Sequence, residues 1–419
     1  MIASPDPSHK PTARTPDTPG HSNREDPTDA GASGPAPGHE HRSGLLRGWR
    51  RLPAATTALA VYVLLRAVGL VILWIFAQRA GVDFWQLLHS RYDALWYQQI
   101  AAEGYDHAAV NHNPDGSPRL PNLTFFPLYP GLIAMVAAIS PFSLPVAGLI
   151  VSWAAGLAAA WGIYAVGRHI GSHAVGVTLT ALWAVLPHAV VQNMGYTETL
   201  FTALVAWSLY ALLCRRWLTV GLLCLVAGLS RPTATTLVAA VGLAALVAIV
   251  RRQDGWRPWV AALLAPIGYL GHLAWVGHRL GQVDGYFQLQ DDYWRIGFDG
   301  GANTLGVLKL VLTRPVPFPL YTSTLLLSLA TVLAVLLVLH RYPLPVVVYS
   351  VTFLLLTAGT AGYYWAKGRY LVPAFTLLLP VAMALAKARR STQVTVIVFL
   401  VLASGWYGTY LSLIWHRSP

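Results

Sequence analysis

The feature that most constrains this chain is a series of long apolar runs, the first of which, AATTALAVYVLLRAVGLVILWIF, covers residues 54–76. A stretch of roughly 20 such residues matches the hydrocarbon thickness of a bilayer when it is helical. Inside lipid every backbone N–H and C=O must find its partner within the protein, so these runs fold as helices and an open sheet is excluded. Composition agrees. The 419 residues are 55% hydrophobic and 11% charged, and the mean hydropathy is +0.51, against about 25% charged residues in a soluble domain. The expected fold class is an all-α polytopic membrane protein.

The spans expected from hydropathy are 54–76, 145–167, 172–191, 197–213, 217–230, 233–250, 258–279, 318–339, 343–362, 370–386 and 392–415, a bundle of about 11 transmembrane helices. Residues 1–45 are rich in Pro, Ser, Gly, His and Asp and should form a disordered cytoplasmic tail, with the transmembrane domain over 46–419. The stretch 125–142, FFPLYPGLIAMVAAISPF, is short and punctuated by proline, and charge decides its placement.

If 125–142 lies at the interface or re-enters, fourteen basic residues from Arg42 to Arg390 fall on one face against Asp254 alone, and the opposite face carries eleven basic and ten acidic residues. Were it to cross, the later basic loops would change sides while the N-terminal Arg cluster stayed. Only the first arrangement obeys the positive-inside rule. The expectation is an N-terminus inside, a C-terminus outside, and two extracytoplasmic loops, 77–142 with amphipathic and re-entrant helices and 280–317. The net charge of +12 then reflects topology, and no nucleic acid is implied. Lys occurs only at 10, 309, 367 and 387 among many Arg and Ala, the usage of a GC-rich bacterial genome, which places the chain in a bacterial plasma membrane.

The first outer loop holds RYDALWYQQIAAEGYD, residues 91–106. As a helix, 92–103 sets Tyr92, Leu95, Trp96 and Ile100 apart from Gln98, Gln99 and Glu103, a segment suited to lie along the membrane surface. Asp93 could cap that helix, or act as a general base at the boundary of water and lipid. Glu198, in GYTETLF, starts a span on the same face. It would either favour the helix dipole or serve a site, since a carboxylate in a membrane is costly. Arg231 in LSRPT, and Lys367 and Arg369 in YYWAKGRYL, put three cations at two span junctions facing the two carboxylates. Guanidinium and ammonium groups there suit a phosphate. Arg91, Tyr97 and Tyr196 complete the candidate substrate-binding set. Neither the scattered His residues nor the Asp291-Asp292 pair has metal spacing, so no metal or cofactor is expected.

Taken in order, RYDALWYQQIAAEGYD, TFFPLYPG at 124–131, GYTETLF, LSRPT and GRYLVPAF resemble the PIG-V-like mannosyltransferases of the GT-C glycosyltransferase superfamily, over about 54–380. The resemblance implies a GT-C-like bundle and a polyprenyl-phosphate-linked sugar donor, polyprenyl-phosphomannose. It also implies Asp93 as catalytic base, Glu198 at the position of the TE motif, and Arg231 and Arg369 as donor-phosphate contacts. Tyr92 stands where the family often has Trp or Phe. Eukaryotic members act on glycosylphosphatidylinositol precursors, and a bacterial chain need not share that acceptor, which stays a lipid or a glycan. The rival class is a transporter or flippase, which paired broken helices in two related halves would favour.

Overall fold

The computed structural model describes residues 52–107, 111–112 and 118–419. The expected tail 1–45 and the cluster Arg42, Arg47, Arg50 and Arg51 lie outside the described residues. Five helices are long and apolar enough to cross a membrane, or six if one bent pair counts as a single span. That is the build of a multi-pass membrane protein.

The first, α1 (Leu52–Arg79), turns Leu64, Val71, Trp74 and Phe76 outward, an apolar surface suited to lipid. After it come two short helices, α2 (Phe84–His89) and α3 (Asp93–Glu103). A small antiparallel hairpin follows, Asn111–His112 against Pro118–Arg119, which the sequence reading did not foresee. Next is α4 (Leu128–Ile139), whose 12 residues reach about 18 Å at 1.5 Å per residue, well short of the roughly 30 Å hydrocarbon core.

The central element is α5 (Leu144–Ile170), the most enclosed of the long helices. It packs against α6 (His173–Ala184) and α7 (Glu198–Leu213). Small residues allow this closeness: a Cβ on Gly162 would stand 2.8 Å from the Ala206 Cβ. Between lipid-embedded helices such close backbone packing replaces the hydrophobic drive available in water. Further along, α8 (Trp217–Gly228), α9 (Ala234–Val250), α10 (Arg257–Leu264) and α11 (Ile267–Leu280) form a second group. The expected span 258–279 is one of the five long elements, Arg257–Leu280, in which a turn at Ala265–Pro266 separates α10 from α11. Beyond them lie α12 (Gly285–Asp292), α13 (Ala302–Thr313), α14 (Phe318–Leu339), α15 (Leu344–Gly359) and α16 (Lys367–Tyr370). The order ends with α17 (Leu379–Leu385) and α18 (Arg390–Leu413).

Two expected spans are broken rather than continuous. Over 172–191 the helix stops at Ala184, and a 3₁₀ turn, Ala189–Asn193, takes over. Pro187 explains the stop, because it lacks an N–H and disfavours helical geometry at Leu186. The carbonyls freed there are taken up by side chains: Gln192 Nε2 donates to Trp183 O at 2.9 Å and Arg66 Nη1 to Ala184 O at 2.9 Å. Over 364–385 the chain bends by 74° around Pro373. Trp183 Nε1 donates to Val372 O at 3.1 Å and the Tyr349 hydroxyl to Pro373 O at 3.1 Å, so both exposed carbonyls are satisfied. The two breaks therefore touch, through Trp183.

Candidate functional site

The helix α3 begins abruptly. Arg91 to Ala94 form a tight turn closed by Ala94 N–H to Arg91 C=O at 3.2 Å, with Tyr92 at φ 50° and ψ −123°. A non-glycine residue there is strained by about 1–3 kcal/mol, and such strain collects at functional sites. Asp93 is the first helical residue. The cap position belongs to Tyr92 and no side chain caps the helix, so the N-cap role for Asp93 does not hold. The packed face of α3 is Ala94, Tyr97 and Ile100. Leu95, which the sequence sets on one side with Tyr92, Trp96 and Ile100, is exposed.

The Asp93 carboxylate accepts from Arg369 Nη2. The same guanidinium donates through Nε to Glu198 Oε1 at 2.6 Å and through Nη1 to the Ser418 hydroxyl at 2.8 Å, and it lies 4.4 Å above the Tyr196 ring. Arg231 Nη1 reaches the same Glu198 oxygen at 2.7 Å and the Thr197 hydroxyl at 3.2 Å. Glu198 is fully buried, and Asp93 keeps 27% of its side chain exposed. Two carboxylates and two guanidiniums thus form one chain of ion pairs, sealed at Glu198 and open at Asp93. A buried carboxylate persists only when paired in this way.

Asp93 opens into a cavity of about 490 Å³. Tyr97, Arg231 and Arg369 also line it, with Trp96, Phe125 and Trp294 as an aromatic wall. Trp96 stacks on Phe125 at 5.7 Å and meets Trp294 edge-on at 5.5 Å. The Trp294 Nε1 donor is fixed on Pro121 O at 3.2 Å. Burial raises the phenols of Tyr92, Tyr97 and Tyr363 above their usual range, so all three face the cavity as neutral hydroxyls.

Glu198 and Tyr196 stand directly behind Arg369 rather than on the cavity wall. Two sequence-nominated residues lie elsewhere. Arg91 Nη1 donates to Ser412 O at 2.7 Å, in the last turn of α18. Lys367 is buried, with Nζ on the Thr304 hydroxyl at 2.5 Å and on Ala358 O at 3.2 Å. Sequence reasoning missed Gln290, Trp294, Arg417 and Ser418, all on the cavity wall, and Arg66, buried within α1. Arg66 was the one signal in plain view, a cation inside an apolar run. The others sit in segments whose neighbours are set only by the tertiary fold.

No family model matches the sequence, and no curated protein matches it.

Proposed function

We propose that the chain is an inverting membrane glycosyltransferase acting at this cavity. The observation that carries the reading is the partly exposed Asp93 carboxylate beside two guanidiniums, Arg231 and Arg369, in an aromatic-walled cavity at the start of α3. Asp93 takes the proton of an acceptor hydroxyl while that oxygen forms its bond to the anomeric carbon of the donor. The bond from that carbon to the phosphate oxygen breaks, and its electron pair leaves on the polyprenyl phosphate. Arg231 and Arg369 stabilise the charge that develops there, a contribution strengthened where water is excluded. No metal enters these steps.

The finer topology belongs to the same reading: about 11 spans in a GT-C-like bundle, N-terminus cytoplasmic, active site extracytoplasmic, in a bacterial plasma membrane. The ion pairs of Arg369 to Asp93 and Glu198 support it, because an even number of crossings must separate two residues that meet at one site. The short α4 adds none, and α5 with the broken α6 segment would supply two. Arg215 and Asp254, assigned to the opposite face, pair with each other at 3.6 Å. Mannose as the sugar, and a lipid or glycan as the acceptor, rest on the resemblance to PIG-V-like enzymes.

The touching breaks at 185–188 and 371–374 favour a second reading, a lipid or sugar flippase, since paired broken helices are a transporter device. One experiment separates the two. Membranes bearing the chain are supplied with polyprenyl-phosphomannose, and transfer is compared between wild type and Asp93→Asn. Loss of general-base help should lower the rate by about 10²–10⁴-fold. Full transfer by Asp93→Asn would remove the base assignment, and movement of the lipid without transfer in wild type would favour the flippase.

A further inference from the structure

The cavity carries one cation that the ion-pair chain does not absorb. Arg231 and Arg369 are balanced by Glu198 and Asp93. Arg417, in the segment that follows α18, also lines the cavity and has no carboxylate partner among the described residues. Its guanidinium carbon lies 4.5 Å above the Trp365 ring, and its side chain is exposed. Trp365 lines the same wall, and its Nε1 donor is buried with no hydrogen-bond partner among the described residues. The next residue, Ser418, occupies the Nη1 edge of Arg369 at 2.8 Å. Two guanidinium groups, Arg417 and the Arg369 edge masked by Ser418, therefore border one cavity that has an excess of one positive charge, with the Trp365 ring beneath Arg417.

We infer that these two guanidiniums form a phosphate-binding site in which the ligand phosphate replaces the Ser418 hydroxyl on Arg369 and pairs with Arg417. The inference deepens the glycosyl-transfer reading and rests on it for the identity of the ligand, the phosphate of a lipid-linked donor. Phosphate chemistry fits the donor set. A guanidinium fork matches two phosphate oxygens. Lys367, the sequence-nominated alternative, has its ammonium committed to Thr304 and Ala358. Exchange at Ser418 also leaves the Arg369 contacts to Asp93 and Glu198 in place, so the phosphate binds without dismantling the ion-pair chain.

The test is equilibrium binding to the full chain in lipid nanodiscs, with farnesyl phosphate, inorganic phosphate and farnesol as separate probes. Farnesyl phosphate should bind and farnesol should not. Arg417→Gln should weaken farnesyl phosphate about tenfold or more, as expected for a charge-assisted hydrogen bond, with an unchanged melting temperature because the side chain is exposed. Ser418→Ala should keep or tighten binding. Equal affinity of wild type and Arg417→Gln, or failure of both phosphates to bind, overturns the site. A loss in Ser418→Ala equal to that in Arg417→Gln overturns the exchange. Tight binding of inorganic phosphate that depends on Arg417 supports the site and assigns it to free phosphate. Binding is read without any transfer, so a chain that holds farnesyl phosphate through Arg417 yet transfers no sugar keeps this site and loses only the transferase reading.

Discussion

Arg369 Nε lies 2.6 Å from Glu198 Oε1, joining α16 to the first turn of α7 across 171 residues of sequence. Both side chains are buried, so the pair is sealed from water, and Arg231 approaches the same oxygen from the junction of α8 and α9. The other Glu198 oxygen has no hydrogen-bond partner among the described residues. Three segments far apart in the chain are thus held by one carboxylate oxygen, and the cavity wall depends on it.

Removing one member of a buried ion pair strands the other. Arg369→Ala should destabilise the protein by about 3–5 kcal/mol, at the lower end because Arg231 stays on Glu198. The double variant Arg369→Ala with Glu198→Ala should recover none of that loss, since Arg231 is then left buried without its carboxylate. Thermal unfolding of the purified proteins in detergent reads both. Equal stability of Arg369→Ala and wild type would show that the pair contributes nothing to the fold.

The contact between the two broken segments gives a separate expectation. Trp183 is fully buried and its indole N–H is the partner of Val372 O. Trp183→Phe keeps an aromatic ring and removes the donor, so the carbonyl beside Pro373 is left unpaired at a cost of about 1–3 kcal/mol. Hydrogen exchange localised to 371–378 should quicken more than exchange in α5. A uniform change across the molecule would assign the effect to packing alone.

Much of this fold is written in the apolar runs. Hydropathy marks the long helices, and the stretch 125–142, which the charge count sets apart from the spans, holds the 12-residue α4. What it does not mark is where a span breaks. Residues 172–191 and 370–386 are predominantly apolar, and Pro187 and Pro373 break them only because Gln192, Arg66, Trp183 and Tyr349 stand ready to take the freed carbonyls. The site divides in the same way. Asp93, Glu198, Arg231 and Arg369 are legible because charges are scarce in such a chain. Lys367 and Arg91 looked equivalent in sequence, yet neither lines the cavity, for their partners Thr304 and Ser412 belong to distant helices. Arg417 and Trp294 carry no local pattern.

Topology is open to direct labelling. In a background with Cys214→Ala and Cys224→Ala, a cysteine at His107 and one at Arg251 are both exposed in the fold. The charge asymmetry predicts that a membrane-impermeant maleimide reaches His107→Cys from outside intact cells and Arg251→Cys only after permeabilisation. Labelling of both from one side would require a different number of crossings between them.

The segment 280–317 supplies a pH dependence. Asp299 accepts the Asn303 N–H at 2.6 Å and the Gly301 N–H at 2.8 Å, at the start of α13. These backbone donors, Asn303 foremost, hold its carboxyl below the usual carboxylate range. A group whose folded-state pKa is depressed contributes stability above its unfolded value, about 3.9 for Asp, and loses it as pH falls through the folded value. Protection of the first turn of α13 should therefore be constant near neutrality and decline only in acid below that ordinary value. Asp299→Ala should show the weakened first turn at every pH, and wild type should converge on it in acid. Hydrogen exchange across 299–306, corrected for the intrinsic pH dependence of exchange, distinguishes the two. If wild type and Asp299→Ala are equally protected at neutral pH, the carboxylate does not hold the helix start.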